Sequence, residues 1–214
     1  MRYSLWAVRK SDPFFVNLNA MKVEPVVLEG KHVRLEPLRA DHLPAIIAVG
    51  MEPSLWKLTN NVVETEVDLE RYVREALTAQ KLGAAVPFVT IDRSSGTIVG
   101  STRFMNIDTE HRKTEIGCTW INPKWQRTAI NSEAKLLMMT HAFEVWGCVR
   151  VELKTDSNNE QSKNAMLRIG CTEEGTLRNH MITETGRHRH SVYFSVIEPE
   201  WESVKSNLAS KIRD

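Results

Sequence analysis

Over residues 113–155 the apolar period changes twice, and that double change constrains the fold more than any other feature of the chain. Ile116, Cys118 and Trp120 alternate with Glu115, Gly117 and Thr119, which is the period of a strand. Pro123 then stops the ladder, because proline has no N–H to donate. From Asn131 the spacing becomes helical. Leu136, Met139, Phe143 and Trp146 share one face, and Gly147 stands where a left-handed residue closes a helix. Val149, Val151, Leu153 and Thr155 next alternate with Arg150, Glu152 and Lys154. Two strands joined through a helix run parallel, so the segment predicts a strand–helix–strand crossover.

Between the first strand and the helix lies Gln126–Asn131, six residues without a carboxylate. A helix N-terminus leaves its first N–H groups unpaired and carries the positive end of the macrodipole. A short loop feeding it can wrap a pyrophosphate with backbone amides, and Arg127 adds a charge. The plainer alternative is an ordinary turn capped by Asn131.

The flanking chain fits a mixed sheet with helices on both faces. Val33 and Leu35 mark a strand ending at Pro37, and Asp41 is placed to cap a helix through about Val49. Met51–Asn61 has loop composition, with Trp56 either exposed or packed over the core edge. Residues 67–81 form an amphipathic helix closed by Gly83. Strands at 86–91 and 97–107 are joined by a DRSSG hairpin turn. After the crossover, Asp156, or Asn158 with Gln161, can cap a helix that stops at Gly170. Strands at 172–183 and 187–197 form a hairpin, and a polar-rich helix begins at Trp201.

Length suits one domain. The net charge of +1, from 28 basic and 27 acidic residues, argues against a general nucleic-acid or membrane-surface binder. Three scattered cysteines without metal spacing suit a reduced, cytoplasmic protein. No apolar run approaches the ~20 residues of a membrane span. Residues 1–20 are basic and partly apolar, but Arg9, Lys10, Asp12 and Pro13 interrupt a signal-peptide core. They are expected to be an extension or the product of an upstream start, with a mitochondrial presequence as the lesser alternative. The domain is expected over 21–205, with a tail at 206–214.

The loop resembles the acetyl-CoA signature of the GNAT acyltransferase superfamily, Q/R-x-x-G-x-G/A, with Gln126 at its first position. EGKHVRLEPL at Glu29–Leu38, DSNNEQSKNAMLRIGC at Asp156–Cys171 and GRHRHSVYFSVIEPEW at Gly186–Trp201 resemble, in order, the ribosomal-protein N-acetyltransferases of the Rim type. The resemblance spans roughly residues 26–205. It implies an α/β (α+β) GNAT fold, with a mostly antiparallel sheet of about seven strands whose central parallel pair holds acetyl-CoA. No metal is implied, and relatives are often dimers. Two positions depart from the signature. Ala129 replaces its first glycine and Asn131 its second small residue. A left-handed backbone at 129 would cost an alanine about 1 kcal/mol or more.

Acetyl transfer to an amine needs a neutral nucleophile, a stabilised carbonyl oxygen and a hydrogen bond for the departing sulfur. Glu115 is the leading candidate base, through water, against the alternative of a solvated strand carboxylate. His180 is the second, because imidazole titrates near neutrality. His188 and His190 share a strand face, but no third ligand makes them a metal site. The resemblance implies that a backbone N–H around Trp120–Ile121 binds the thioester oxygen. It implies that Gln126, Arg127, Thr128, Ala129, Ile130 and Asn131 hold the pyrophosphate. It further implies that Ser162 hydrogen-bonds the sulfur and that Asn159 contacts the pantetheine arm, against helix capping as the plainer alternative. Tyr193 reads as core, and His190 replaces an aspartate common at its position. The expected activity is transfer of acetyl from acetyl-CoA to a protein or peptide α-amino group. The rivals are a small-amine or amino-sugar acetyltransferase, and a non-catalytic acyl-CoA-binding module in which Ala129 and His190 mark a decayed site.

Overall fold

Eight strands and five α-helices carry residues 21–212, which the computed structural model describes. The extension expected over 1–20 lies outside the described residues. In chain order, β1 (Leu28–Glu29) and β2 (Val33–Pro37) lead to α1 (Leu43–Gly50) and α2 (Glu66–Lys81). Then β3 (Ala85–Asp92), β4 (Thr97–Asp108) and β5 (Lys113–Ile121) precede α3 (Ala129–Thr140) and β6 (Arg150–Asp156). Next come α4 (Glu160–Ile169), β7 (Thr172–Ile182), β8 (His188–Ile197) and α5 (Trp201–Ser210). The α/β assignment holds, with one more strand than expected because β1 adds a short edge. α5 carries ordered packing past residue 205, with Leu208 fully buried.

The sheet order is β1-β2-β3-β4-β5-β6-β8-β7, antiparallel throughout except for β5 and β6. Both faces are covered. One core joins the sheet to α3, α4 and α5 through Met138, Met166 and Trp201. The other joins it to α1 and α2 through Ile46, Leu69 and Tyr72. α3 is also pinned at its first turns. The Glu133 carboxylate accepts the backbone N–H groups of Lys31, His32 and Val33 at 2.8, 2.6 and 2.7 Å. A side chain at Gly30 would displace that carboxylate.

The strand period predicted for β5 fails in its second half. Ile116 belongs to the α3-side core, but Trp120 belongs to the α1/α2-side core. Cys118 causes the reversal. Its φ of 48° is left-handed, and one extra residue on β5 stands between the pairs Arg103–Gly117 and Ser101–Trp120. This is a β-bulge, and it moves every later side chain to the opposite face. Cys118 itself is exposed.

Three local expectations are settled, that for Trp56 in favour of the packed alternative and the other two as corrections. Asp41 does not cap α1. Its carboxylate pairs with Arg39 at 3.0 Å, and a 3-10 turn over Ala40–His42 leads into the helix. Trp56 is buried, because its Nε1 donates to the Gly50 carbonyl at 2.7 Å and its ring packs against Tyr72 and Trp120. The cap of α4 is Asn159, not Asp156 or Asn158. The Asn159 Oδ1 accepts the Ser162 N–H at 3.0 Å.

Candidate active site

β5 and β6 pair over three residues only, from Lys113–Arg150 to Glu115–Glu152. Beyond that point the bulge turns β5 away, and the two strands part. The gap opens toward their C-terminal ends, where α3 and α4 both begin. Across its mouth, Gln126 Nε2 donates to the Ile121 carbonyl at 2.8 Å, and Gln161 on α4 donates to Gln126 Oε1 at 3.1 Å.

The loop before α3 enters the helix through one left-handed residue. Arg127 holds the left-handed conformation at φ 62°, and Thr128 is the N-cap, accepting the Ile130 N–H at 3.4 Å. Ala129 is the first helical residue, so its methyl meets no left-handed penalty and the strain expected there is absent. Asn131 does not cap the helix either. Its Oδ1 is buried without a hydrogen-bond partner among the described residues. Beside this turn a cleft of about 550 Å³ is lined by Lys31, Arg93, Trp125, Thr128 and Ala129 among others. The positive end of the α3 dipole stands at this cleft, together with the Asp92 carboxylate and an Arg93 that pairs with Glu29 at 3.0 Å.

On the α4 side, Ser162 is half-buried, and its hydroxyl makes no hydrogen bond among the described residues. Asn159 is engaged as a cap through Oδ1, which leaves its amide nitrogen as the group able to reach a ligand. Trp120 and Ile121 are both buried, against α1/α2 and α3 respectively.

The two candidate bases come together on the α1/α2 face. Glu115 is fully buried and accepts Asn106 Nδ2 at 2.8 Å and Lys154 Nζ at 3.1 Å, so it is not a solvated strand carboxylate. The Lys154 ammonium lies 5.7 Å from the centre of the Tyr193 ring. The Tyr193 hydroxyl is 3.4 Å from His180 Nε2, and His180 Nδ1 is 3.0 Å from the Ser191 hydroxyl. Tyr193 is therefore half-exposed and polar in its contacts, not a core residue. Partial burial, with the charges of Lys154 and Arg189, holds the His180 imidazole below its ordinary range, so it is neutral at pH 7.

Sequence reasoning missed the partners of this line. Asn106, Lys154 and Ser191 lie on other strands, and pairing across strands is not written in local spacing. The same holds for Asp156, which is fully buried between Arg187 and Arg189. Arg189 in turn donates to Asn60 Oδ1 at 2.8 Å, and Glu184 accepts the Val62 N–H at 2.6 Å. The β7–β8 hairpin and the 51–62 loop thus wall in one side of the gap. His190 accepts the Asn179 N–H at 2.8 Å, and among the described residues no group of three metal-ligating side chains exists. Nor, among those residues, is any helix long and apolar enough to cross a membrane.

The bulged fifth strand parts from its parallel neighbour, and helix N-termini stand at both lips of the opening. The acetyltransferase (GNAT) domain profile matches residues 32–172, and the chain belongs to that family. A GCN5-related N-acetyltransferase from Brucella melitensis superposes with a TM-score of 0.82 at 30% identity, covering 89% of this chain and 86% of that one. A crystal structure from T. thermophilus, provisionally called an acetyltransferase, gives 0.81 at 32% identity over 89% and 98% of the two chains. The Bacillus subtilis protein YdaF, provisionally named a ribosomal N-acetyltransferase, is 34% identical over 110 residues, 51% of this chain. That match spans 59% of YdaF's length.

Proposed function

We propose that this protein moves an acetyl group from acetyl-CoA to a primary amine, with a protein or peptide N-terminus as the acceptor. The observation that carries the reading is the gap itself: phosphate-type donors at one lip, a hydroxyl at the other, and acid–base groups on the opposite face. Acetyl-CoA, when bound, supplies an activated acyl carbon. The N–H groups of Ala129 and Asn131, with Arg127, would hold the pyrophosphate. Backbone N–H groups at Trp120–Ile121 would orient the carbonyl, and the Ser162 hydroxyl can donate to sulfur. On the acceptor side the neutral His180, directly or through water, takes the proton that an α-amino group, titrating near 8, must lose. A protein acceptor is favoured by the Rim-type motifs and by the ribosomal reference in the name of YdaF.

The test is calorimetry with acetyl-CoA, followed by turnover on N-terminal peptides, small amines and amino sugars. Ser162→Ala should lose about 10- to 100-fold in kcat while acetyl-CoA affinity stays within about twofold. A protein that binds acetyl-CoA but acetylates none of these amines would be a binding module instead. Turnover confined to small amines would remove the protein acceptor.

A further inference from the structure

Lys135 is the one lysine of α3, and it points inward. Its residue is 6% exposed, and its Nζ donates to the Thr119 hydroxyl at 2.9 Å. Among the described residues no carboxylate comes within ion-pairing distance of it. An ammonium has three N–H donors, and burying one beside a single neutral oxygen is costly enough to call for a reason. Its location supplies one. Thr119 follows the bulge, is exposed, and lies on the stretch of β5 that has already left β6. Thr119 therefore separates a buried cation from the open gap.

The hydrogen bonding is directional. An ammonium cannot accept, so Thr119 Oγ1 accepts from Lys135 and must send its own proton elsewhere. The Thr102 hydroxyl, 2.8 Å away, can take it, and Thr102 has a second outlet in Met138 Sδ at 3.7 Å. When Thr102 instead donates to Thr119, whose oxygen then accepts from both Lys135 and Thr102, the Thr119 O–H is free to point into the gap. We propose that Lys135, acting through the Thr119 hydroxyl, is the counter-charge and proton source for the coenzyme A thiolate released there. The proposal rests on the acetyl-CoA reading above. In the step it serves, the amine nitrogen bonds to the acyl carbon, the carbon–sulfur bond breaks, and the electron pair leaves on sulfur. The Thr119 proton then passes to sulfur and an ammonium proton replaces it on Thr119, leaving a neutral Lys135 that is reprotonated from water.

The chemistry is matched. Burial pulls the Lys135 amine down to about 8, close to an ordinary thiol near 8.5. Cys171 is the other titratable group that faces Lys135, and burial pushes its thiol up to about 12, so it stays neutral and does not compete for the proton. Lys135 is a positioning residue here, because it acts through Thr119.

The test needs no acceptor. Affinities for coenzyme A and desulfo-coenzyme A are measured by calorimetry from pH 6.5 to 9.5 for wild type, Lys135→Met, Lys135→Arg and Thr119→Val. In wild type the preference for coenzyme A should reach about tenfold and trace a bell that peaks between the two ionisations, near pH 8 to 8.5. Lys135→Met and Thr119→Val should bind desulfo-coenzyme A normally yet show a ratio near one at every pH. Lys135→Arg should keep the charge and lose the descending limb. A flat wild-type ratio, or a bell that survives Lys135→Met, overturns the proposal. Failure of wild type to bind desulfo-coenzyme A would instead bring down the cofactor site on which it rests.

Discussion

The two faces of the sheet meet at the same gap, and the buried charges that stand there are partnered in opposite ways. On the α1/α2 face Glu115 is matched by Lys154, and Asp156 by Arg187 and Arg189. On the α3 face Lys135 has a hydroxyl and nothing of opposite sign among the described residues. A paired network holds its geometry, which suits the positioning of an acceptor and a base. A buried cation without a partner is unstable by itself and is relieved only when negative charge arrives. The contrast separates a wall that is finished before substrate binds from one completed by the reaction.

The largest effect should come from breaking the finished wall. Burial pushes the Asp156 carboxyl up, but the Arg187 hydrogen bond, the Asn158 N–H and the two guanidinium charges outweigh it and hold it below the carboxylate range. Asp156→Ala leaves buried Arg189 without its counter-ion, and should cost about 3–5 kcal/mol in urea unfolding at pH 7. A carboxyl held low in the fold contributes stability above its unfolded value, near 3.9, and loses it as pH falls through the folded value. The difference between wild type and variant should therefore be constant from pH 8 to 5 and shrink only in acid. A loss under 1 kcal/mol would mean that the two arginines are solvated and the wall is not preorganised.

Much of this was legible in sequence, and the limit falls at a definite place. Pro123 ending β5, Gly147 closing the helical stretch and Gly170 closing α4 obey local rules, and each stands where its rule puts it. The turn from Gln126 into the helix was legible for the same reason, though not in its details. Thr128 took the cap from Asn131, and Arg127 took the left-handed position that attention to Ala129 had misplaced. The bulge at Cys118 was not legible. Cysteine has no local preference for the left-handed region, so its residue type does not announce the bulge. Glu115 and Lys154 meet from 39 positions apart, so the sequence offers Glu115 as a base but not the partner that buries it. Lys135 was hidden by its type, since lysine in a helix ordinarily marks the wet face.

The second effect sharpens the contrast from the other face. Lys135→Met removes the buried cation and leaves the stem's packing in place. For a lysine whose folded value is lowered from 10.5 to about 8, the fold bears the full cost below pH 8. Between pH 8 and 10.5 the unfolded chain binds more protons, so the wild type regains stability as pH rises. Lys135→Met should thus be more stable than wild type by about 3 kcal/mol at pH 7, and the difference should close by pH 10.5. A variant less stable than wild type at pH 7 would show that Lys135 contributes to the fold, and the two faces would then differ less than their partners suggest.

The smallest effect concerns His180, where the finished wall meets the acceptor. The imidazole contacts Ser191 and Tyr193 and is only partly buried, so His180→Gln should leave unfolding within about 0.5 kcal/mol of wild type. Its ring is kept neutral by burial and by the Lys154 and Arg189 charges, so protonation occurs below its ordinary 6.5. If His180 receives the amine proton, kcat/KM in wild type carries an acid limb from that ionisation, beneath the steeper dependence set by the amine itself. His180→Gln should lower kcat/KM about tenfold at pH 7.5 and abolish the limb below pH 6.5, leaving the amine dependence unchanged. Were the limb to persist with only KM raised, the proton would be passing to Glu115 or directly to water, and His180 would serve only to shape the mouth of the cleft.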